Sequence, residues 1–318
     1  MSPLRPPMIA HTLDDLRRVR ESMAGTVAVV PTMGALHEGH RTHMRRARQL
    51  ADHVIVTVFV NPLQFRPGED FEAYPRTLEA DAAACAEEGV DVVFAPSEAE
   101  LYPRGRDAVT RVIPGPAGDL FEGASRPGFF TGVLTVVAKL LRLTRAHIAT
   151  FGEKDYQQLA MVRRMVDDLH LGVHIEAIPT VRESDGLAQS SRNVYLSAAE
   201  RASALAIPRA IRVAQSSPQP LAAAQKVLEA EPGLRVDYVA VTAPDLEPAP
   251  SDGEGRLLIA AFAGSTRLID NAAVGVGAAW RTAEPDGDET MTSSTYAEAS
   301  SDPVDLNRRT THIGDRDA

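Results

Sequence analysis

Apolar and polar positions fall into two different grains along the chain. Through residue 182, short apolar runs are each followed by a longer stretch with helical spacing. "TVAVVPT" (26–32) reads as a buried strand and residues 39–51 as a helix; "HVIVTVFV" (53–60) is a second strand, followed by a Pro- and Gly-containing loop through Pro75. A helix over 76–88, the strand "VDVVFAP" (90–96) and a largely buried helix, "FTGVLTVVAKLLRLT" (130–144), come next. The strand "HIATF" (147–151), a helix over 155–170 and the strand "VHIEAIPTV" (173–181) complete the run. Strands alternating with helices predict right-handed crossovers and an α/β domain whose parallel sheet is covered on both faces. Such sheets bind ligands beyond the carboxyl ends of their strands, and His37, Asn61 and Lys154 all follow strands.

After residue 183 the grain changes. Helical stretches over 197–214 and 219–230 are divided by "SSPQP" and precede three strand-like runs, "LRVDYVAV", "RLLIAAFA" and "TRLIDNAAV". These predict a smaller α+β unit. From Thr282 the chain reads "AEPDGDETMTSSTYAEASSDPVD", polar, acidic and nearly free of large apolar residues, so disorder is expected there. The expected division is therefore 1–182, 183–281 and a tail over 282–318. No internal repeat is present.

Composition narrows the function classes. No stretch reaches the roughly 18 apolar residues that a membrane helix needs, and "MSPLRPPMIAHTLDD" lacks the apolar core of a signal peptide. A single cysteine, Cys85, excludes an internal disulfide framework and fits a reducing cytoplasm. It lies in the helical pattern "EADAAACAEEG" and reads as a small core residue. The net charge is −10, of which residues 282–318 carry −6 from nine acidic and three basic side chains, leaving −4 for the body. That balance argues against nucleic acid as a partner, since phosphate-backbone binding relies on dense Lys and Arg. Only three of the 33 basic residues are lysine: Lys139, Lys154 and Lys226. A chain that writes Arg by default marks out the positions where a compact ammonium stands.

Four stretches could carry chemistry. In "VVPTMGALHEGHRTHMRRAR" (29–48), a strand turns into a helix between two glycines and two histidines, His37 and His40. A helix N-terminus near Leu36 to Gly39 would present N–H groups and positive dipole to phosphate, with both imidazoles on one side of its first turn. Gly34 and Gly39 would allow close approach of a ligand. Metal binding and a structural role are the competing readings; a zinc protease would need H-E-x-x-H, and Arg41 stands where the second histidine belongs. In "TFGEKDYQQL" (150–159), Lys154 and Asp155 open a helix and suit a phosphate and a ribose, against the plainer reading of an ordinary acidic first turn. "ESDGLAQSSRNVYLS" (183–197) offers Ser190, Ser191 and Arg192 as a clamp for polyphosphate, or simply a solvated loop. "FVNPLQF" (59–65) supplies Gln64, and Gln158 lies near the start of the 155–170 helix; paired amides could read the hydroxyl and carboxylate of a small substrate. No P-loop competes for the nucleotide.

Taken together, "PTMGALHEGH", "FVNPLQF", "YPRT", "FGEKDYQQL", "DGLAQSSRN" and "TRLIDN", in this order and spacing, resemble the pantothenate synthetase (pantoate–β-alanine ligase) family from about residue 9 to residue 280. The resemblance implies a Rossmann-like nucleotidyltransferase domain with a small C-terminal α+β lid, Mg²⁺ dependence and a cytoplasmic homodimer. It implies the reaction ATP + (R)-pantoate + β-alanine → AMP + pyrophosphate + pantothenate, through pantoyl adenylate. By position it implies catalytic roles for His40, His37 and Lys154. ATP contacts would come from Met33, Gly34, Ala35, Leu36, His37, Glu38, Gly39 and His40, from Gly152, Glu153, Lys154 and Asp155, from Val181, and from Gln189, Ser190, Ser191 and Arg192. Gln64 and Gln158 would hold pantoate.

The chain departs from the family pattern at four positions. Phe129 stands where "RPxHF" has His, so one polar contact is expected to be missing. Gln189 replaces a usual Met or Leu, and Arg41 and His43 fall where apolar helix residues are common, so that helix is expected to pack differently. The rival readings are another H-x-G-H adenylate- or cytidylate-transferring enzyme, an aminoacyl-tRNA synthetase, and a non-catalytic nucleotide-binding module. "NPLQF" argues against the first and the acidic C-terminal part against the second.

Overall fold

The computed structural model describes residues 6–278 except 67 and 70; the expected disordered stretch over 282–318 lies outside them. Among the described residues, nine strands build two sheets. β1 (Met8–Ala10), β2 (Val27–Thr32), β3 (His53–Val58), β4 (Val92–Phe94), β5 (Ile148–Gly152) and β6 (His174–Ile178) form one sheet in the order β1-β4-β3-β2-β5-β6, with every pairing parallel. β7 (Leu234–Thr242), β8 (Gly253–Ala263) and β9 (Thr266–Val276) form an antiparallel sheet in sequence order. This is the expected Rossmann-like domain followed by a small α+β part.

The parallel sheet is apolar on both faces because both are covered. Val27 and Val29 of β2, Ile55 of β3 and Phe94 of β4 join one core with the helices Phe129–Thr144 and Tyr156–Asp168. Ala28, Val30, Val54, Val56 and Val93 join the other, under the helix Glu38–Leu50, together with Cys85 of the helix Leu78–Glu87. Burial pushes the Cys85 thiol up to about 12, so it is an inert core residue, as its surroundings in the sequence imply. The chain leaves β2 towards one face and β5 towards the other. Their carboxyl ends therefore open a crevice where the strand order reverses, the position at which such sheets take ligands.

Two details differ from the sequence reading. β1 and the helix Leu13–Ser22 extend the sheet by one strand and one helix at its edge; three residues are too few to show an apolar period. The helix expected over 197–214 is two, Ala198–Ala204 and Ala206–Gln215. Pro208 has no N–H to continue the first helix but fits the opening turn of the second. These two helices, with Pro220–Glu229, pack on the antiparallel sheet around Ile207, Leu228, Leu257 and Ile259. Leu258, pointing the other way from β8, joins the core of the parallel-sheet domain.

Candidate active site

The turn after β2 carries the two histidines. Gly34 and Ala35 adopt positive φ, 87° and 51°, and the strain is met by Asp81: its carboxylate accepts from the N–H of Ala35 (3.1 Å) and of Leu36 (2.8 Å) and from the Thr77 hydroxyl. His37 caps the following helix, its Nδ1 accepting from Gly39 N–H at 3.1 Å, while His40 Nδ1 accepts from His37 N–H at 3.2 Å. The rings lie 4.1 Å apart. Gly39 is required here because a Cβ would come within 2.9 Å of the His37 ring. With each Nδ1 accepting, the proton of each neutral ring sits on Nε2, which is left as a donor.

These bonds refine the anion-site expectation. The amides of Ala35, Leu36, His37 and Gly39 are already engaged within the protein, so the imidazole Nε2–H groups are the side-chain donors that this turn offers. Burial, then the neighbouring charges of His37, His43 and Lys154, holds His40 down at about 3. Burial, then Lys154, lowers His37 in the same way. Both rings are therefore neutral donors at physiological pH, and His40 in this state is no stock of acid protons.

The turn after β5 carries the cation. Glu153–Asp155 form one turn of 3-10 helix ahead of Tyr156–Asp168, and Lys154 Nζ lies 3.9 Å from Asp155 Oδ2. Lys154, Asp155 and Gln158 line a cleft of about 570 Å³ together with Ser190, Arg192, Arg126, Phe129 and residues of β7 to β9. Val181 O accepts from Gln189 N–H at 2.8 Å. Gln189 Oε1 is buried without a partner, 3.4 Å from where a Gly39 Cβ would stand. The departure at Gln189 thus puts an unsatisfied acceptor beside the histidine turn.

Gln64 is held by its surroundings. Its Oε1 accepts from Asn61 Nδ2 at 3.0 Å and its Nε2 points at Met33 Sδ, also 3.0 Å. Asn61, 1% exposed, is held in turn by the Tyr102 hydroxyl and Gly132 O. Arg126 donates to Gln64 O at 3.1 Å, which ties Gln64 to the wall of the cleft. Gln158 lines the cleft itself, whereas Gln64 is outside its lining and joins it only through Arg126. Met33 lines a second cavity of about 350 Å³ with Asp81 and Phe71.

Several expected contacts look elsewhere. The Glu38 carboxylate pairs with Arg45, and Glu153 Oε2 faces Arg256 at 3.4 Å, so each has its side chain on a protein partner. Arg41 leaves the core altogether to pair with Glu87 and Glu88. His43 turns inward, its Nδ1 3.1 Å from Thr150 Oγ1 and its ring against Gly152, while Met44 and Ala47 supply the buried face. Phe129 opens its helix with the Arg126 guanidinium stacked on its ring at 4.0 Å. Asp81 and Arg126 escaped the sequence reading as site residues, whereas Asn61 is placed at this end of the sheet by its position after a strand. The available signal for Asp81 was a lone acid on the alanine-rich face of its helix, where it is 2% exposed.

Comparison with known proteins bears on this geometry. A family model described as pantoate-beta-alanine ligase matches residues 8–273. Pantothenate synthetase of Salinispora arenicola (strain CNS-205) is 56% identical over 274 residues, covering 84% of this chain and 97% of its own length. That of Nocardia farcinica (strain IFM 10152) is 53% identical over 271 residues, covering 84% and 85%. Among solved structures, pantothenate synthetase from Thermus thermophilus superposes with a TM-score of 0.77 at 46% identity, covering 83% of this chain and 98% of that one. Pantoate-beta-alanine ligase from Francisella tularensis, complexed with beta-gamma ATP and beta-alanine, gives 0.70 at 34% identity, covering 84% and 97%. Matched by one family model over most of its described length and by relatives identical at more than half of the aligned positions, the chain belongs to the pantoate–β-alanine ligase family.

Proposed function

We propose that this ligase condenses pantoate with β-alanine at the Lys154 cleft, using ATP and passing through a pantoyl adenylate. One observation carries the assignment of the site: Lys154, Asp155, Gln158, Ser190 and Arg192 converge on one cleft, and the His37–His40 pair lies close enough to feel the Lys154 charge.

In the first step an oxygen of the pantoate carboxylate bonds to the α-phosphorus. The bond from that phosphorus to the α–β bridging oxygen breaks, and its electron pair leaves with pyrophosphate. The negative charge that shifts onto bridging and non-bridging oxygens is what the protein must stabilise. Lys154 brings a fixed positive charge, and the two Nε2–H groups bring neutral donors that need no reorganisation. Asp155, half-exposed on the rim, suits the ribose, and the Val181 backbone suits adenine. Ser190, Ser191 and Arg192 close on the phosphates, with Gln189 and the turn from Met33 to His40 beneath them. Gln64 and Gln158 orient pantoate. In the second step the β-alanine amine bonds to the acyl carbon, the acyl–oxygen bond breaks and AMP leaves, while the amine proton passes to phosphate or water.

The residues around Lys154 fit Mg²⁺ as an ion carried in on the triphosphate. Among the described residues no three His, Cys, Asp or Glu side chains converge into a cage. Magnesium is ordinarily held by few protein oxygens together with phosphate and water; it would neutralise charge on the leaving pyrophosphate. No helix of the described residues is long and apolar enough to cross a membrane. A homodimer and residence in the cytoplasm complete the proposal.

Product analysis tests it. With Mg-ATP and pantoate alone, pyrophosphate should be released only to the extent that adenylate accumulates on the enzyme. Adding β-alanine should give continuous release of AMP and pantothenate. ATP binding without AMP formation under both conditions would instead identify a nucleotide-binding module.

A further inference from the structure

The turn that presents Lys154 lacks support of its own. Neither the 3-10 turn Glu153–Asp155 nor the helix Tyr156–Asp168 has a side-chain cap. The support comes from β9, more than a hundred residues on. Asn271 Nδ2 donates to the carbonyl oxygens of both Glu153 and Lys154, each at 2.9 Å.

The orientation of this amide is set from behind. Arg256, on the neighbouring strand β8, directs Nε (2.8 Å) and Nη2 at Asn271 Oδ1, so the oxygen faces the guanidinium and the nitrogen faces the turn. Arg256 is itself 7% exposed, stacked over the Tyr156 ring at 4.0 Å, and 3.4 Å from Glu153 Oε2. Tyr156 is anchored through its hydroxyl to Pro244 O at 2.9 Å. The backbone N–H of Asn271 donates to Asp270 Oδ1, and Asp270 pairs with Arg182 at 2.7 Å, at the head of the loop that carries Gln189 to Arg192.

A carboxamide has two N–H donors and two acceptor lone pairs on its oxygen. In Asn271 both donors go to the turn and the oxygen takes two bonds from Arg256. The residue lines the cleft yet has no hydrogen-bonding capacity left for a ligand. We propose that Asn271 is a positioning residue: it fixes the backbone of the Glu153–Lys154 turn from the C-terminal sheet, and Arg256 sets the orientation of its amide. The lysine is thereby placed only when β8 and β9 are docked against the parallel-sheet domain.

The inference rests on Lys154 acting in adenylate formation, and a double-mutant cycle separates the two. Asn271→Asp keeps the shape and the Arg256 pairing but sets a carboxylate against two carbonyl oxygens. It should lower kcat for pantoate-dependent pyrophosphate release by ~10- to 10²-fold, the scale of misplacing a catalytic group by about 1 Å. The KM for ATP should stay within about threefold, because no ligand contact is removed. In a Lys154→Ala background the same substitution should change the rate by less than about threefold, since there is no ammonium left to place. Arg256→Lys gives up the paired donation while keeping the charge, and should act in the same direction with the same dependence on Lys154; it decides the matter if Asn271→Asp does not fold. A loss that multiplies in full onto that of Lys154→Ala, or one confined to KM, would overturn the positioning role alone. A wild-type rate in Lys154→Ala would remove the role of the lysine and the inference with it.

Discussion

Two strand-to-helix turns meet at the crevice, and they are built in opposite ways. The turn after β2 is stitched from within its own domain: His37 and His40 cap its helix with their own Nδ1 atoms, and Asp81 ties down Ala35 and Leu36. The turn after β5 is held by Asn271 and Arg256 from the C-terminal sheet. The neutral donors are therefore set by bonds within the parallel-sheet domain, whereas the placement of the cation depends on how the two parts dock. Damage to β8 or β9 should reach Lys154 and spare the histidines.

The largest effects should come from the groups that meet the phosphates. Lys154→Ala and His40→Ala are each expected to lower adenylate formation by ~10²-fold or more, the scale of losing a preorganised charge-stabilising donor. Near-normal pyrophosphate release in both variants would remove the assigned roles. Asp81→Asn comes next, because it turns an amide nitrogen towards backbone N–H groups that need an acceptor. Unsatisfied buried donors cost about 1–3 kcal/mol each, so urea unfolding should register the loss together with a fall in kcat. The effect of Asn271→Asp on the rate should vanish without Lys154, but that of Asp81→Asn should persist. Equal dependence of both on Lys154 would erase the contrast between the turns.

Smaller effects sharpen the picture at two of the four positions that depart from the family pattern, Phe129 and His43. Phe129→His gives up the Arg126 stack, but Arg126 stays pinned by Glu69 and Gln64 O. A recovered polar contact worth about 0.5–1 kcal/mol should raise kcat/KM for pantoate by no more than about fivefold. Unchanged kinetics would show that the missing contact does not limit the rate. His43 should matter mainly to acid stability. Burial holds its ring down at about 4, so as pH falls below about 6.5 the unfolded chain takes up this proton first. Stability associated with the neutral ring is thus complete above that pH and is lost on the way down to about 4. His43→Leu should remove a loss on the order of 1 kcal/mol between pH 7.5 and 5, with a rate at pH 7.5 within about twofold of the parent. An unaltered pH dependence of unfolding would show that another group carries it.

The contrast also explains what could be read from the chain. The alternation of apolar runs and helical spacing was enough for the parallel sheet, because each of its central strands is covered on both faces. β1 escaped because three edge residues carry no period, and the break at Leu205 because the helical spacing of apolar residues runs through it, although Pro208 already disfavours one unbroken helix. The histidine turn was legible since its glycines, cap and imidazoles lie within seven residues. Its amides were expected to face the ligand, but imidazole nitrogens and Asp81 occupy them, a matter of ring orientation that spacing cannot encode. The support of Lys154 was not legible from the pattern: Asn271 stood only as the end of the "TRLIDN" motif, with no role attached, and Arg256 lies in a strand whose pattern speaks only of burial.

The most direct measurement follows the oxygen. Pantoate labelled with ¹⁸O in its carboxylate, turned over with ATP and β-alanine, should deliver one labelled oxygen to AMP and none to pyrophosphate, because the acyl–oxygen bond of the adenylate is the one that breaks. Label in pyrophosphate or inorganic phosphate, or unlabelled AMP formed alongside pantothenate, would contradict adenylation of pantoate at this cleft.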